Sequence, residues 1–99
     1  MNITNKPVTL DGTTGGEIAV IAEYHAIQVV IAGRATGTVT LTAKSLGGDV
    51  FEAFQPALTL DLSVERTCVI GGNSLIALNF EIDAGGADFD ATITQWPTN

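Results

Sequence analysis

Apolar and polar residues change places at every step along most of this chain. Thr38-Val39-Thr40-Leu41-Thr42-Ala43 sets Val39, Leu41 and Ala43 on one side of an extended backbone and three threonines on the other, because successive side chains of a strand point to opposite faces. The device recurs with the leucines of Ala57–Leu62, with Ile76, Leu78, Phe80 and Ile82, and with Phe89, Ala91 and Ile93. These four segments predict strands buried on one side. Shorter or less regular runs predict further strands at Val8–Leu10, Glu17–Ala22, Tyr24–Ala32, Val50–Phe54 and Arg66–Ile70. In the third of these Ile27, Val29 and Ile31 share a face, while Val30 adds an apolar residue to the other. That suits a strand covered on both sides or one turned toward a neighbouring subunit. Phe51 and Phe54 have an odd separation and cannot both face inward on a regular strand, so one covers the core and the other meets a neighbour, or a bulge lies between them.

Glycines punctuate these runs at Asp11-Gly12, Gly15-Gly16, Gly33, Gly47-Gly48, Gly71-Gly72 and Gly85-Gly86, where tight hairpins need a positive φ. No window sustains helical spacing, and parallel strands would need crossover helices. The pattern predicts an all-β fold, an antiparallel β-sandwich with Greek-key or jelly-roll connections and about eight strands, as one domain over residues 1–99.

Size and charge narrow the role. For 99 residues, surface scaling gives a folded area of roughly 5,400 Å² and about two-thirds of the open chain's surface buried, which suffices for one core without disulfides. Charged residues are 15% of the chain, where about a quarter is usual. Either threonine-covered sheet faces or surface buried against other subunits accounts for this. Eleven acids against four bases give a net charge of −7. Lys6, Arg34, Lys44 and Arg66 are too few to neutralise phosphates, so nucleic acid is excluded as a partner and anionic membrane surfaces are disfavoured; neither is expected. No apolar stretch reaches membrane-spanning length. The first residues lack a secretory pattern, so synthesis in a reducing cytoplasm is expected. The lone Cys68 reads as a small buried hydrophobe.

Candidate chemistry is sparse. One histidine, His25, and one cysteine cannot build a zinc site, and no serine sits in a nucleophile motif. No catalytic residue and no cofactor are expected. The run Asp83-Ala84-Gly85-Gly86-Ala87-Asp88-Phe89-Asp90 reads first as a turn with acidic shoulders. Its second reading is a cation site formed by Asp83, Asp88 and Asp90. Trp96 serves either as a lid on the core or as a partner anchor.

Several segments carry a family likeness: Gly33 and Gly37 followed by Thr38-Val39-Thr40-Leu41-Thr42-Ala43-Lys44, then Phe51-Glu52-Ala53-Phe54, Thr59-Leu60-Asp61-Leu62 and Ile93-Thr94-Gln95. Over residues 25–96 this style and order of strands resembles small structural proteins of tailed bacteriophages, in particular capsid decoration (cement) proteins. The resemblance implies a compact β-sandwich, commonly a homotrimer, bound to the exterior of the assembled virion shell. There it would bridge copies of the major capsid protein, without catalysis. It also suggests that residues 1–10 extend as an arm onto a neighbour. Val8 and Leu10 of that arm, with Phe51, Phe54 and Trp96, are the expected contact residues. The rival expectation is a receptor- or carbohydrate-binding module of a tail or fibre, using Tyr24, His25 or Trp96 as a stacking platform.

Overall fold

A computed structural model describes residues 3–22, 24, 26–33, 36–71, 74–83 and 86–96. Eight strands follow one another: β1 (Thr4–Leu10), β2 (Gly16–Ala19), β3 (Ala26–Ala32), β4 (Thr38–Ser45), β5 (Glu52–Asp61), β6 (Thr67–Gly71), β7 (Leu75–Ile82) and β8 (Phe89–Trp96). They form two antiparallel four-stranded sheets, ordered β1-β8-β3-β6 and β2-β7-β4-β5. Four of the pairings are nested: β1 with β8, β2 with β7, β3 with β6 and β4 with β5. The chain is thus doubled back on itself, and the double ribbon is rolled up by the remaining pairings, β3 with β8 and β4 with β7. This is the jelly-roll arrangement, and its accessible surface of 5380 Å² matches the value expected from chain length.

The alternation seen in the sequence fills the space between the sheets. Ile27, Val29 and Ile31 of β3 and Phe89, Ala91 and Ile93 of β8 face Val39 and Leu41 of β4 and Leu78 and Phe80 of β7, all almost wholly buried. Phe80 and Phe89 meet across the layers with ring centroids 6.5 Å apart and planes tilted by 59°, an arrangement favoured by the ring quadrupoles.

Three expectations change. First, the glycine turns were expected to close hairpins, yet among named strands only β4 and β5 are sequence neighbours within one sheet. The others carry the chain from sheet to sheet. Asp11 shapes the first such turn, where its carboxylate accepts bonds from Thr13 N–H (2.7 Å) and Thr14 N–H (3.2 Å). Second, Val50–Phe54 and Ala57–Leu62 belong to one long strand. The register of β4 against β5 jumps from Leu41↔Leu58 to Thr42↔Ala53, so Phe54 to Ala57 bulge away. Third, Thr4–Leu10 pairs along its whole length with β8 and lies in the sandwich instead of reaching out as an arm.

Candidate functional site

The two outer sheet faces differ in charge. Residues of β8 alternate Phe89, Ala91, Ile93 and Gln95 inward, which leaves Asp90, Thr92, Thr94 and Trp96 outside. The register extends each of these across the sheet. Thr92 lies between Pro7 and Val30, and Val30 is followed by Thr67; Thr94 lies between Asn5 and Gln28, and Gln28 is followed by Val69. At the two ends Asp90 sits beside Thr9 and Ala32, and Trp96 beside Ala26 and then Gly71. Among the described residues of these strands, Asp90 is the only charge on this outer surface, and it accepts a 2.7 Å bond from the Thr9 hydroxyl. The Thr94 hydroxyl donates to Asn5 Oδ1 at 2.6 Å. Valine is unusually exposed here, 37% at Val30 and 65% at Val69.

The opposite face, on β2-β7-β4-β5, carries acids. Thr38 stands beside Asp61, Thr40 between Thr59 and Glu81, and Asn79 beside Glu17. The Ser63 hydroxyl and then its N–H bond to Asp61 and hold that exposed carboxyl below its ordinary value. Lys44 points its ammonium over the Phe51 ring, 4.7 Å from the centroid, a cation–π contact. The same face holds Thr42, whose buried hydroxyl has no hydrogen-bond partner among the described residues.

The residues singled out from the sequence separate accordingly. Leu10 is part of the core, and Val8 packs against it from the same side of β1. Leu10 is buried and Val8 half-buried on the side of β1 that faces this chain's own sandwich. Phe54 also packs on the core while Phe51 lies outside under Lys44, so the two rings take opposite sides, the first of the two arrangements that their odd spacing allows. Trp96 is half-exposed at a corner of the neutral face. His25 lies outside the described residues, and Tyr24 is half-buried with its N–H bonded to the Ile21 carbonyl at 3.1 Å.

The acidic turn does not gather its carboxylates. Asp88 accepts the N–H of Gly12 at 2.9 Å, Asp90 takes the Thr9 hydroxyl, and Asp83 shares the neighbourhood of Asp61 instead. Among the described residues no three His, Cys, Asp or Glu side chains stand where they could hold a metal ion. Cys68 is half-buried on the inner side of β6, and burial, followed by the charge of Glu65, pushes its thiol up to about 11.

A cleft of about 410 Å³ opens where the edges of β1 and β2 part, between Thr4–Lys6 and Ala19–Ile21, with Gln95 as its inner wall. Gln95, which the alternation alone would have made apolar, accepts from Ile21 N–H at 3.0 Å and donates to the Ile21 carbonyl at 3.2 Å. The Gln95 amide is thereby engaged in joining the two sheets. The surface that departs most from an ordinary solvated sheet is the neutral face. A sequence signal for it existed in the two-sided apolarity of Val29-Val30-Ile31 and in the threonines of β8, but only the register assembles them.

No protein-family model and no curated protein sequence matches this chain. Its fold is shared with solved structures. The SPBc2 prophage-derived protein YomS superposes with a TM-score of 0.67 over 96% of this chain and 95% of that one, at 12% identity. The low affinity xylan binding module CBM86 of Roseburia intestinalis gives a TM-score of 0.60 over 98% and 85%, at 14% identity. AlgX of Pseudomonas aeruginosa gives 0.61 at 11% identity, and this chain spans 26% of that larger protein. At such identities the likeness is one of fold.

Proposed function

We propose that this chain is a non-catalytic component of a bacteriophage particle, a decoration protein that docks on the assembled capsid through the outer face of β1-β8-β3-β6 and bridges neighbouring shell subunits. The observation that carries the reading is the charge asymmetry of the sandwich. A chain of net charge −7 keeps one whole sheet face almost free of charge, with valines, threonines and a tryptophan in its place. Interface centres are depleted of charge and enriched in aromatic residues in this way. The acidic sheet on the other side would then face solvent and keep the decorated particle soluble. The phage setting draws on the sequence resemblance and on the fold shared with a prophage-derived protein over nearly the full length of both chains.

Co-sedimentation with undecorated phage shells tests the reading. The wild-type chain is expected to pellet with shells, and Val30→Asp, which places a carboxylate in the middle of the neutral face, is expected to stay in the supernatant while keeping a strand-rich circular-dichroism spectrum. A wild-type chain that ignores shells overturns the assignment. A second reading uses the same face, whose neutral hydrogen-bonding side chains beside Trp96 also suit a polysaccharide, as does the fold shared with a xylan binding module. Retention on glycans without shell affinity selects it.

A further inference from the structure

Each sheet has two open edges, and three of the four carry a feature that discourages a further strand. β1 contains Pro7, which has no N–H to offer, and the charge of Lys6. β2 is four residues long and carries Glu17. β5 contains Pro56, breaks its register, and begins and ends on acids. Edges are ordinarily blunted by such prolines, charges, bulges and short lengths. β6 has none of the first three. Thr67-Cys68-Val69-Ile70-Gly71 is neutral, free of proline and regularly paired with β3 at every residue.

The hydrogen-bond phase of β6 follows from one contact. Ile31 N–H donates to the Arg66 carbonyl at 2.8 Å, so Ile31 and Arg66 are a hydrogen-bonded pair. In an antiparallel ladder such pairs recur at every second residue, here Val29 with Cys68 and Ile27 with Ile70. Thr67, Val69 and Gly71 therefore turn their N–H and C=O groups away from β3, toward the open side. Those three residues are arranged symmetrically about Val69.

We propose that β6 is a pairing edge, through which two copies of this chain join antiparallel about a two-fold axis at Val69. In that register Val69 faces Val69 of the second copy, and each Thr67 faces the other copy's Gly71. All outward groups of the three residues are satisfied, which gives six N–H···O=C bonds. A register shifted by two residues leaves part of the set unmatched. An isologous contact of this kind closes as a dimer, not as the three-fold grouping that the phage resemblance implies. It merges the two β1-β8-β3-β6 sheets into one of eight strands and places the two neutral faces side by side, with Val69 and Val30 near the seam. Because Glu65 lies beyond the paired segment, no acid faces another across the axis. The remaining charges of the two copies still repel, so the pair tightens as salt is added.

The inference does not rest on shell binding, and its test uses the free full-length protein. Light scattering across a concentration series is expected to show a monomer–dimer equilibrium that shifts toward dimer at high salt. Val69→Lys sets two ammonium groups against each other at the axis and is expected to weaken the dimer by about tenfold or more. The side chain is exposed, so circular dichroism should be unchanged. If that variant fails to fold, Thr67→Lys at the neighbouring outward position takes its place. Val69→Cys in a Cys68→Ser background is expected to give a disulfide-linked dimer on mild oxidation, since the paired Cα atoms would be about 5.5 Å apart. A wild-type protein that stays monomeric at high concentration and salt, a trimer, or a dimer indifferent to the lysine would overturn the proposal.

Discussion

Gln95 shows how much one side chain contributes where two sheets meet. It ends a run of inward residues, Phe89, Ala91 and Ile93, and is itself buried. Its amide binds both backbone groups of Ile21 and so ties β8 of one sheet to the segment that leaves β2 in the other. Gln95→Leu keeps the volume and removes both bonds, stranding an N–H and a C=O. The expected cost is about 2–3 kcal/mol, read as a lower urea midpoint with an unchanged slope. Cys68 gives a second test, in pH. The folded chain holds this thiol at about 11 against an ordinary value of 9.0, so the folded state keeps a proton that the unfolded chain releases. Stability from this source is complete below about pH 9 and is lost as pH rises toward about 11. Cys68→Ala should flatten that part of the decline, seen as a wild-type advantage over the variant that is larger at pH 8 than at about pH 10.5 in matched urea titrations. Neither role was legible beforehand. The alternation marks where a side chain points, but not whether a backbone donor waits there.

At the scale of elements, the sequence located strands well and their partners poorly. Period-two runs marked β4, β7 and β8 because half-buried strands leave that imprint directly. The glycines marked the turns, yet whether a turn closes a hairpin or crosses between layers depends on non-local packing. The long β5 was split in two because its bulge around Gln55-Pro56 looks, residue by residue, like a loop. Gly15 and Gly47 show what a turn glycine does. Both have positive φ, +71° and +86°. A Cβ on Gly15 would also collide with the Phe80 carbonyl, while one on Gly47 would meet nothing within 4 Å. Gly15→Ala should therefore cost well over the ~1 kcal/mol of the strained conformation alone, and Gly47→Ala should cost about that amount. Paired thermal melts of the two variants measure the difference.

For the whole molecule, the decisive property is the segregation of charge between two sheets of one sandwich. Its parts were visible as a low charged fraction and a threonine-rich alternation, which left open either solvated sheet faces or buried ones. Only the strand order places Asn5, Thr92, Val30 and Thr67 on one surface and Glu17, Asp61 and Glu81 on the other. A partner held by the neutral surface should be nearly indifferent to ionic strength, since screening acts on charges. Co-sedimentation with shells at low and high salt is expected to give similar bound fractions, and a steep loss with salt would point to the acidic side. The nested pairing has a mechanical corollary. Thr4 and Gln95 are direct partners, so tension applied at those two residues opens the β1–β8 ladder one rung at a time, like a zipper. A load entering through the broad face of β8 and β3 is shared by ladders on both sides of each strand, and the molecule resists there with many bonds at once.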